Sequence, residues 1–489
     1  MSAKQKIKSG FSRFLPSVRL RKHEGLDAYT NTLDEASNKL TPNLRALRLA
    51  IAVSDQLLSM DVAANGVVSR ALDITEAYCD HPVHVDIISN VIMLSQLRGV
   101  DKEPLTLIRP SVMRDTNNMT VQLIQQLVHD IRAGKYSLDE AEAKLDSILK
   151  NPVTYPAWLV STGNAGIAAA VSLFFTTNWR VVLVTFAIAL GVDRLLALMA
   201  KRAIPPFFRQ AGAAVFIVLA AALVAQLDKH GVGFFSGMNP TLIVVGGIFM
   251  LVAGLVIVAA IRDAIEEYYV TANARLLKVV MQTTGIVVGI LTGLYIARKL
   301  GIGIAVSPDP LQLTAFHFQA IAGALAAAAY AVATQTRIRA IIWAGLVGGG
   351  AVAIMFVALN WGINVVPATG VAAIYVGIVS GLFSRLWQTP GSAIVSAGII
   401  PLVPGLALYT GLMQLVNYPP ADPLFFRGVG TLFTALATAV TIAAGASLGT
   451  IIAQPVSKQL THTRNLMPLA RYMTSQLKFD RSASKRKQS

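Results

Sequence analysis

From Tyr155 onward the chain repeats one feature: runs of about 20 apolar residues, the length a helix needs to cross a hydrocarbon core of about 30 Å. Ten such runs are read, near 155–176, 181–200, 208–227, 241–261, 276–297, 313–334, 340–359, 364–384, 391–413 and 428–453. Within a bilayer every backbone N–H and C=O must be satisfied inside the segment, so these runs must be helices. An even number of spans returns the chain to the side on which it began. With that side cytoplasmic, the short inner loops hold nine Lys/Arg, Arg209, Arg262 and Arg275 among them, against five in the outer loops. That is the bias expected of a cytoplasmic face.

Composition agrees with a membrane class: 54% of residues are hydrophobic, 14% are charged, and the mean hydropathy is +0.57. The net charge of +16 sits almost wholly after residue 150. Residues 1–150 hold 19 Lys/Arg and 18 Asp/Glu, and the remainder hold 23 and 8. A surplus placed this way flanks spans; no nucleic-acid partner is expected. The single cysteine, Cys79, excludes an intramolecular disulfide and a cysteine-based zinc cluster, and neither metal nor cofactor is expected. The basic N-terminus lacks an apolar core of signal-peptide length, so no cleaved signal is expected and the first 150 residues should stay cytoplasmic.

The chain divides into a basic leader (1–40), a small α+β domain (41–150), two groups of five spans (151–300 and 301–455) and a basic cytoplasmic tail (456–489). Leader and tail are expected to lie on anionic membrane lipid or stay unstructured. In the α+β domain, "TPNLRALRLAIAVSDQLLSM" has helical spacing behind a Thr-Pro start, and "NGVVSRALDITEAYC" predicts a second helix. "VHVDIISNVIMLSQL" and "PLTLIRPSVM" are read as a pair of strands. "MTVQLIQQLVHDIRAG" returns to helix, and "SLDEAEAKLDSILK" opens with the Ser137–Glu140 capping box.

The ninth span, "SAGIIPLVPGLALYTGL", places Pro401 and Pro404-Gly405 inside the bilayer. Proline removes a backbone donor and clashes with the preceding turn. Broken backbone is tolerated at membrane depth only inside protein or beside a water-filled cavity, so the span is expected to break against a polar cavity. The alternative is a helix that merely kinks. At an offset of 151 residues, "GIFMLVAGLVI" (Gly247–Ile257) matches "GIIPLVPGLAL" (Gly398–Leu408), each the fourth span of its group. Five is odd, so a second copy in tandem enters from the opposite face. The chain therefore reads as two inverted five-helix repeats, an architecture of secondary transporters.

Four segments in order, "HVDI" (His84–Ile87), "TYPAW", "RDAIEEYYVTANAR" and "PLVPGLALYTGL", make the chain similar to the threonine/serine exporter family from about residue 45 to 455. The resemblance implies an inner-membrane carrier that exports L-threonine and L-serine, driven by protons, with a cytoplasmic N-terminal domain and ten spans. Some relatives are split into two polypeptides at the boundary between the groups of five. Some split members are associated with dicarboxylate export.

Acidic groups are scarce after residue 150, so their positions carry information. Asp263, Glu266 and Glu267 are read as a loop just past the fourth span, with Asn273 and Arg275 behind them. Three carboxylates so close should repel one another and favour proton exchange; a carboxylate also suits a substrate ammonium and Arg275 its carboxylate. The resemblance places Asp263, Glu267 and Arg275 at matching positions of the family's acidic stretch. The plainer alternative is a solvated loop paired to Arg262 and Arg275. Asp193 and Arg194 fall inside the second span, about 100° apart on a helix, and each is expected to find a partner on another span. Asn164 reads as helix-packing glue or a substrate contact, and His317 as interfacial or part of a proton path. His84 and Asp86 share one face of a strand, but no nucleophile elbow or third ligand accompanies them, which favours a docking or regulatory role over catalysis.

The leading expectation is a proton-coupled exporter of small hydroxy amino acids, not an enzyme. Two readings stay open beside it: a same-fold exporter of another small polar metabolite such as succinate, and a membrane-anchored hydrolase. A homo-oligomer is also open.

Overall fold

The computed structural model describes residues 41–98, 102–251, 254–302, 312–387 and 391–453. The leader and the tail lie outside the described residues.

The N-terminal unit starts with α1 (Pro42–Ser59), where Thr41 accepts from the Leu44 amide and proline occupies the first turn, the start signal the sequence carries. It continues through α2 (Ala64–Tyr78), β1 (Val83–Ile88), β2 (Val91–Gln96), β3 (Leu105–Pro110), α3 (Asn118–Arg132) and α4 (Leu138–Lys150). The Ser137–Glu140 capping box forms in both directions at the start of α4. The expected strand pair is instead a three-stranded antiparallel sheet in the order β1-β2-β3. The first apolar run folds back on itself at Ser89-Asn90, with Ile88 opposite Val91 and Ser89 at φ 59°. A two-residue hairpin needs left-handed backbone at that point, and the Ser-Asn pair inside a β-branched run was the overlooked turn signal. One sheet face buries Val85, Ile87, Ile92 and Leu94 against the helices; the other carries exposed His84 and Ile88.

The rest of the described chain is mostly helical, as expected of a polytopic membrane protein. Among the described residues eight helices are long and apolar enough to span, or nine if one bent pair is a single span. In chain order these are α6 (Trp179–Lys201), α7 (Pro206–Lys229), α8 and α9 (Pro240–Leu251 and Gly254–Ile265, one span), α10 (Tyr269–Lys299), α11 (Phe316–Ala333), α12 (Ile338–Asn360), α13 (Val365–Trp387), the bent pair, and α16 (Pro423–Ala453). The first expected span is the shorter apolar helix α5 (Ala157–Leu173).

The bent pair is the ninth expected span. α14 (Gly391–Ile399) passes into a single 3₁₀ turn at Ile400–Leu402, and α15 (Gly405–Asn417) resumes behind Pro404, the axis turning by 49°. The break falls where Pro401 and Pro404 remove donors. It also touches its sequence counterpart. A Cβ on Gly254 would overlap the Val403 side chain, and one on Gly405 would lie 2.8 Å from the Phe249 ring. Gly254 and Gly405 are 151 residues apart, so the equivalent segments cross each other at their glycines.

Small residues set the other close crossings, as van der Waals packing between membrane helices requires. Gly285 and Gly289 of α10 seat on the Phe207 and Ala211 carbonyls of α7, and Gly377 of α13 and Gly449 of α16 meet backbone to backbone. α5 and α11 run antiparallel: the Thr314 amide, before α11, donates to the Phe174 carbonyl at the end of α5, while the Tyr155 hydroxyl, before α5, donates to the Thr336 carbonyl beyond α11.

Candidate functional site

Two cavities flank this crossing, and Leu255 and Tyr330 line both. The smaller, of about 440 Å³, lies between the N-terminal unit and α9, α14 and α16, with Asp61, Arg262, Glu266 and Arg275 in its wall. The larger, of about 760 Å³, reaches Ser161, Asn164, Asp193 and Arg209 and runs to the helix break at Ile400, Val403 and Gly405.

At the smaller cavity the expected acidic loop is not a loop. Asp263 lies in the last turn of α9 and is fully buried. The Arg275 Nε, from the second turn of α10, is 3.1 Å from Asp263 Oδ2, and another of its nitrogens is 3.3 Å from Asp61 Oδ1 of the N-terminal unit. Neither Asp263 oxygen has a well-aligned hydrogen bond among the described residues; the Arg275 charge and the nearby Ala64 backbone amide of the N-terminal unit hold the carboxylate. Glu266 pairs one turn back with Arg262 at 3.0 Å. Glu267 is exposed at φ 69°, the residue that ends α9 and redirects the chain into α10. Asp263 and Glu266 thus turn to separate arginines while Glu267 stays exposed, so the mutual repulsion gives way to the alternative reading, pairing with Arg262 and Arg275. Asn273 is exposed on α10, and His317 is exposed in the first turn of α11, outside both cavities.

Asp61 is the partner that sequence reasoning missed. It stands at φ 65° between α1 and α2, a left-handed conformation Asp tolerates better than most residues. Nothing distinguishes it in sequence from the unit's other acids. Nearby, Tyr268 packs on the N-terminal core; burial, then the charge of Asp86, pushes its hydroxyl pKa up. Asp86 points from the partly covered face of β1 toward this junction, whereas His84 is exposed. Among the described residues no group of three His, Cys, Asp or Glu could hold a metal.

At the larger cavity Asp193 gathers three donors. Ser161 Oγ lies 2.6 Å from one oxygen, Asn164 Nδ2 2.7 Å from the other, and the Arg194 guanidinium 2.9 Å from the first. Asp193 and Arg194 each find a partner on α5, as expected, Asp193 in Ser161 and Asn164 and Arg194 in the Ala157 carbonyl, but they also pair with each other because the long arginine curls back. Ser161 was missed, although Ser161 and Asn164 stand three apart on an apolar helix, a polar stripe on one face.

A second attachment of the N-terminal unit borders the larger cavity. The Asn118 amide donates to the Thr334 carbonyl at 3.0 Å, and its side chain donates to the Thr334 and Thr336 hydroxyls, each at 3.0 Å. The turn it grips includes Gln335 at φ 53°, whose side-chain oxygen accepts from Asn117 and from the Tyr155 amide.

Comparison with known proteins agrees with the resemblance. A family profile described as "Putative threonine/serine exporter" matches residues 48–297, and one described as "Threonine/Serine exporter, ThrE" matches residues 319–452. A "Probable threonine/serine exporter" of Mycobacterium tuberculosis is 31% identical over 84% of this chain and 77% of its own length. A "Threonine/serine exporter" of Corynebacterium glutamicum is 30% identical over 83% of this chain and 82% of its own. No solved structure matches. The chain belongs to the threonine/serine exporter family, whose members are transporters and not enzymes.

Proposed function

We propose that this protein exports small hydroxy amino acids, L-threonine and L-serine, across the cytoplasmic membrane by alternating access, coupled to protons. The family match over both halves carries the reading. In this reading α5 counts as a tenth span, both termini are cytoplasmic, and the two groups of five spans are inverted repeats. The antiparallel run of α5 and α11, first helices of their groups, supports inversion, as does the crossing of Gly254 and Gly405 segments. The broken helix beside the larger cavity supplies irregular backbone where transporters place their sites. Asp263 is the proposed proton group: buried, facing one arginine, and short of hydrogen bonds.

The test is flux in proteoliposomes holding the full chain, across threonine, serine and succinate, with and without a pH gradient. Threonine and serine should accumulate only with the gradient imposed. Threonine flux no greater than in protein-free vesicles overturns the reading, and succinate flux in its place overturns the substrate.

A further inference from the structure

The larger cavity carries charge of both signs in its wall, and the two signs are satisfied to different degrees. Asp193 has three donors, while a carboxylate offers about four acceptor positions, so one stays open. Arg209 has no such company. Its Nε is buried without a hydrogen-bond partner among the described residues, and it enters no ion pair there. Leaving a buried charged donor unsatisfied is costly. An arginine one turn inside a span ordinarily escapes this by reaching out to the interface.

Arg209 is instead turned inward. Three and seven residues on, Gly212 lies against Met199 and Phe216 against Gly191, so this face of α7 packs on α6, the helix that carries Asp193. Its neighbour Phe208 takes the exposed face. The sequence counts Arg209 only among the positive flanks of the spans; its place in the cavity wall gives it a second use.

The geometry points to a zwitterion site: an α-amino acid held with its ammonium on Asp193 and its carboxylate on Arg209. The assignment rests on the exporter reading and names its site. A planar guanidinium matches a carboxylate with two parallel hydrogen bonds, and Asp193, fixed by Ser161 and Asn164, presents its open position without reorganising. A dicarboxylate would bring its second anion against Asp193. Arg194 is already committed to Asp193 and to the Ala157 carbonyl.

The test deletes one charge from the ligand and one from the protein. Labelled L-threonine counterflow is measured in proteoliposomes of the full chain, with 1-amino-2-propanol, which lacks the carboxylate, and 3-hydroxybutyrate, which lacks the ammonium, as competitors. Arg209→Gln should weaken threonine by about 10- to 100-fold and leave 1-amino-2-propanol unchanged. Asp193→Asn should weaken threonine and leave 3-hydroxybutyrate unchanged. Arg209→Lys, which keeps the charge and serves if the glutamine variant does not insert, should weaken threonine by only a few-fold. Variants that leave threonine intact, or that weaken threonine and the matching truncated ligand alike, overturn the assignment while transport stands. Absence of threonine counterflow in the unmodified protein overturns the exporter reading itself.

Discussion

The N-terminal unit holds the membrane helices at several places, the Thr271 hydroxyl of α10 also bonding Ser89 and Ile87 of the β1–β2 hairpin, and two of these attachments differ in chemistry. Beside the smaller cavity the link is ionic: Asp61, Arg275 and Asp263 in a line, with the arginine between two acids. Beside the larger cavity it is neutral: Asn118 on the Thr334–Thr336 turn, amide and side chain both engaged. A neutral contact with its groups satisfied does not respond to pH or to a moving charge. An ionic one balanced over a buried, poorly solvated carboxylate changes whenever a proton arrives. On the export mechanism proposed above, Asn118 acts as a fixed hinge and Asp61 as a releasable latch.

The severest way to break that comparison is Asp263→Asn. Removing one partner of a buried pair leaves the other uncompensated, worth about 3–5 kcal/mol. Asp263→Asn should lower pH-driven flux by about 100-fold or more, in protein that still inserts and elutes as the unmodified chain does. Asp61, with 48% of its side chain exposed, contributes far less once solvent screening is counted. Asp61→Asn should cost about 1 kcal/mol or below, a few-fold in flux. Equal losses in the two variants would mean the bridge acts as one unit and the latch has no weaker half.

How legible this was in sequence divides along the same line. The apolar runs carry their own period and length, so most of them fell within a few residues of the observed helix ends, although α10 starts at Tyr269, seven residues before the expected run, and the break at Pro401 and Pro404 followed from the missing donors. Local signals at Thr41-Pro42 and Ser137–Glu140 also held. What stayed hidden was every partner chosen by tertiary approach. Asp61 meets Arg275 across more than two hundred residues, Asn118 meets Thr334 across as many, and nothing local in either segment announces the other. The acidic stretch was half legible: pairing with Arg262 and Arg275 stood as one of its two readings, but the burial of Asp263 in a helix instead of a solvated loop did not show in sequence.

A second variant sharpens the neutral side. Asn118→Ala removes two side-chain hydrogen bonds and leaves the buried Thr334 and Thr336 hydroxyls with fewer partners. The backbone bond from residue 118 to the Thr334 carbonyl persists, so the loss should be about 2 kcal/mol. It should appear as a lower melting temperature in detergent and faster proteolysis between α3 and α4. Because no charge is involved, the deficit should be the same at low and high salt. A deficit that salt erases would show that charge also holds this attachment.

The smallest effect separates the two attachments in the unmodified protein. Raising ionic strength from about 0.1 M to 1 M shortens the screening length from about 10 Å to 3 Å. The Asp61–Arg275 contact, half exposed on the aspartate side, lies within reach of that screening, whereas Asp263–Arg275 is sealed and Asn118 is uncharged. Exposed pairs of this kind are worth about 0.2–1 kcal/mol, so amide exchange across Asp61–Gly66 should quicken by no more than about five-fold. Exchange across Asn118–Thr120, where the Asn117 side chain caps the Thr120 amide at 3.0 Å, should not move. If both segments quicken together, the unit loosens as one body and the hinge and latch are not distinct. If only the first responds, the ionic contact is the softer of the two.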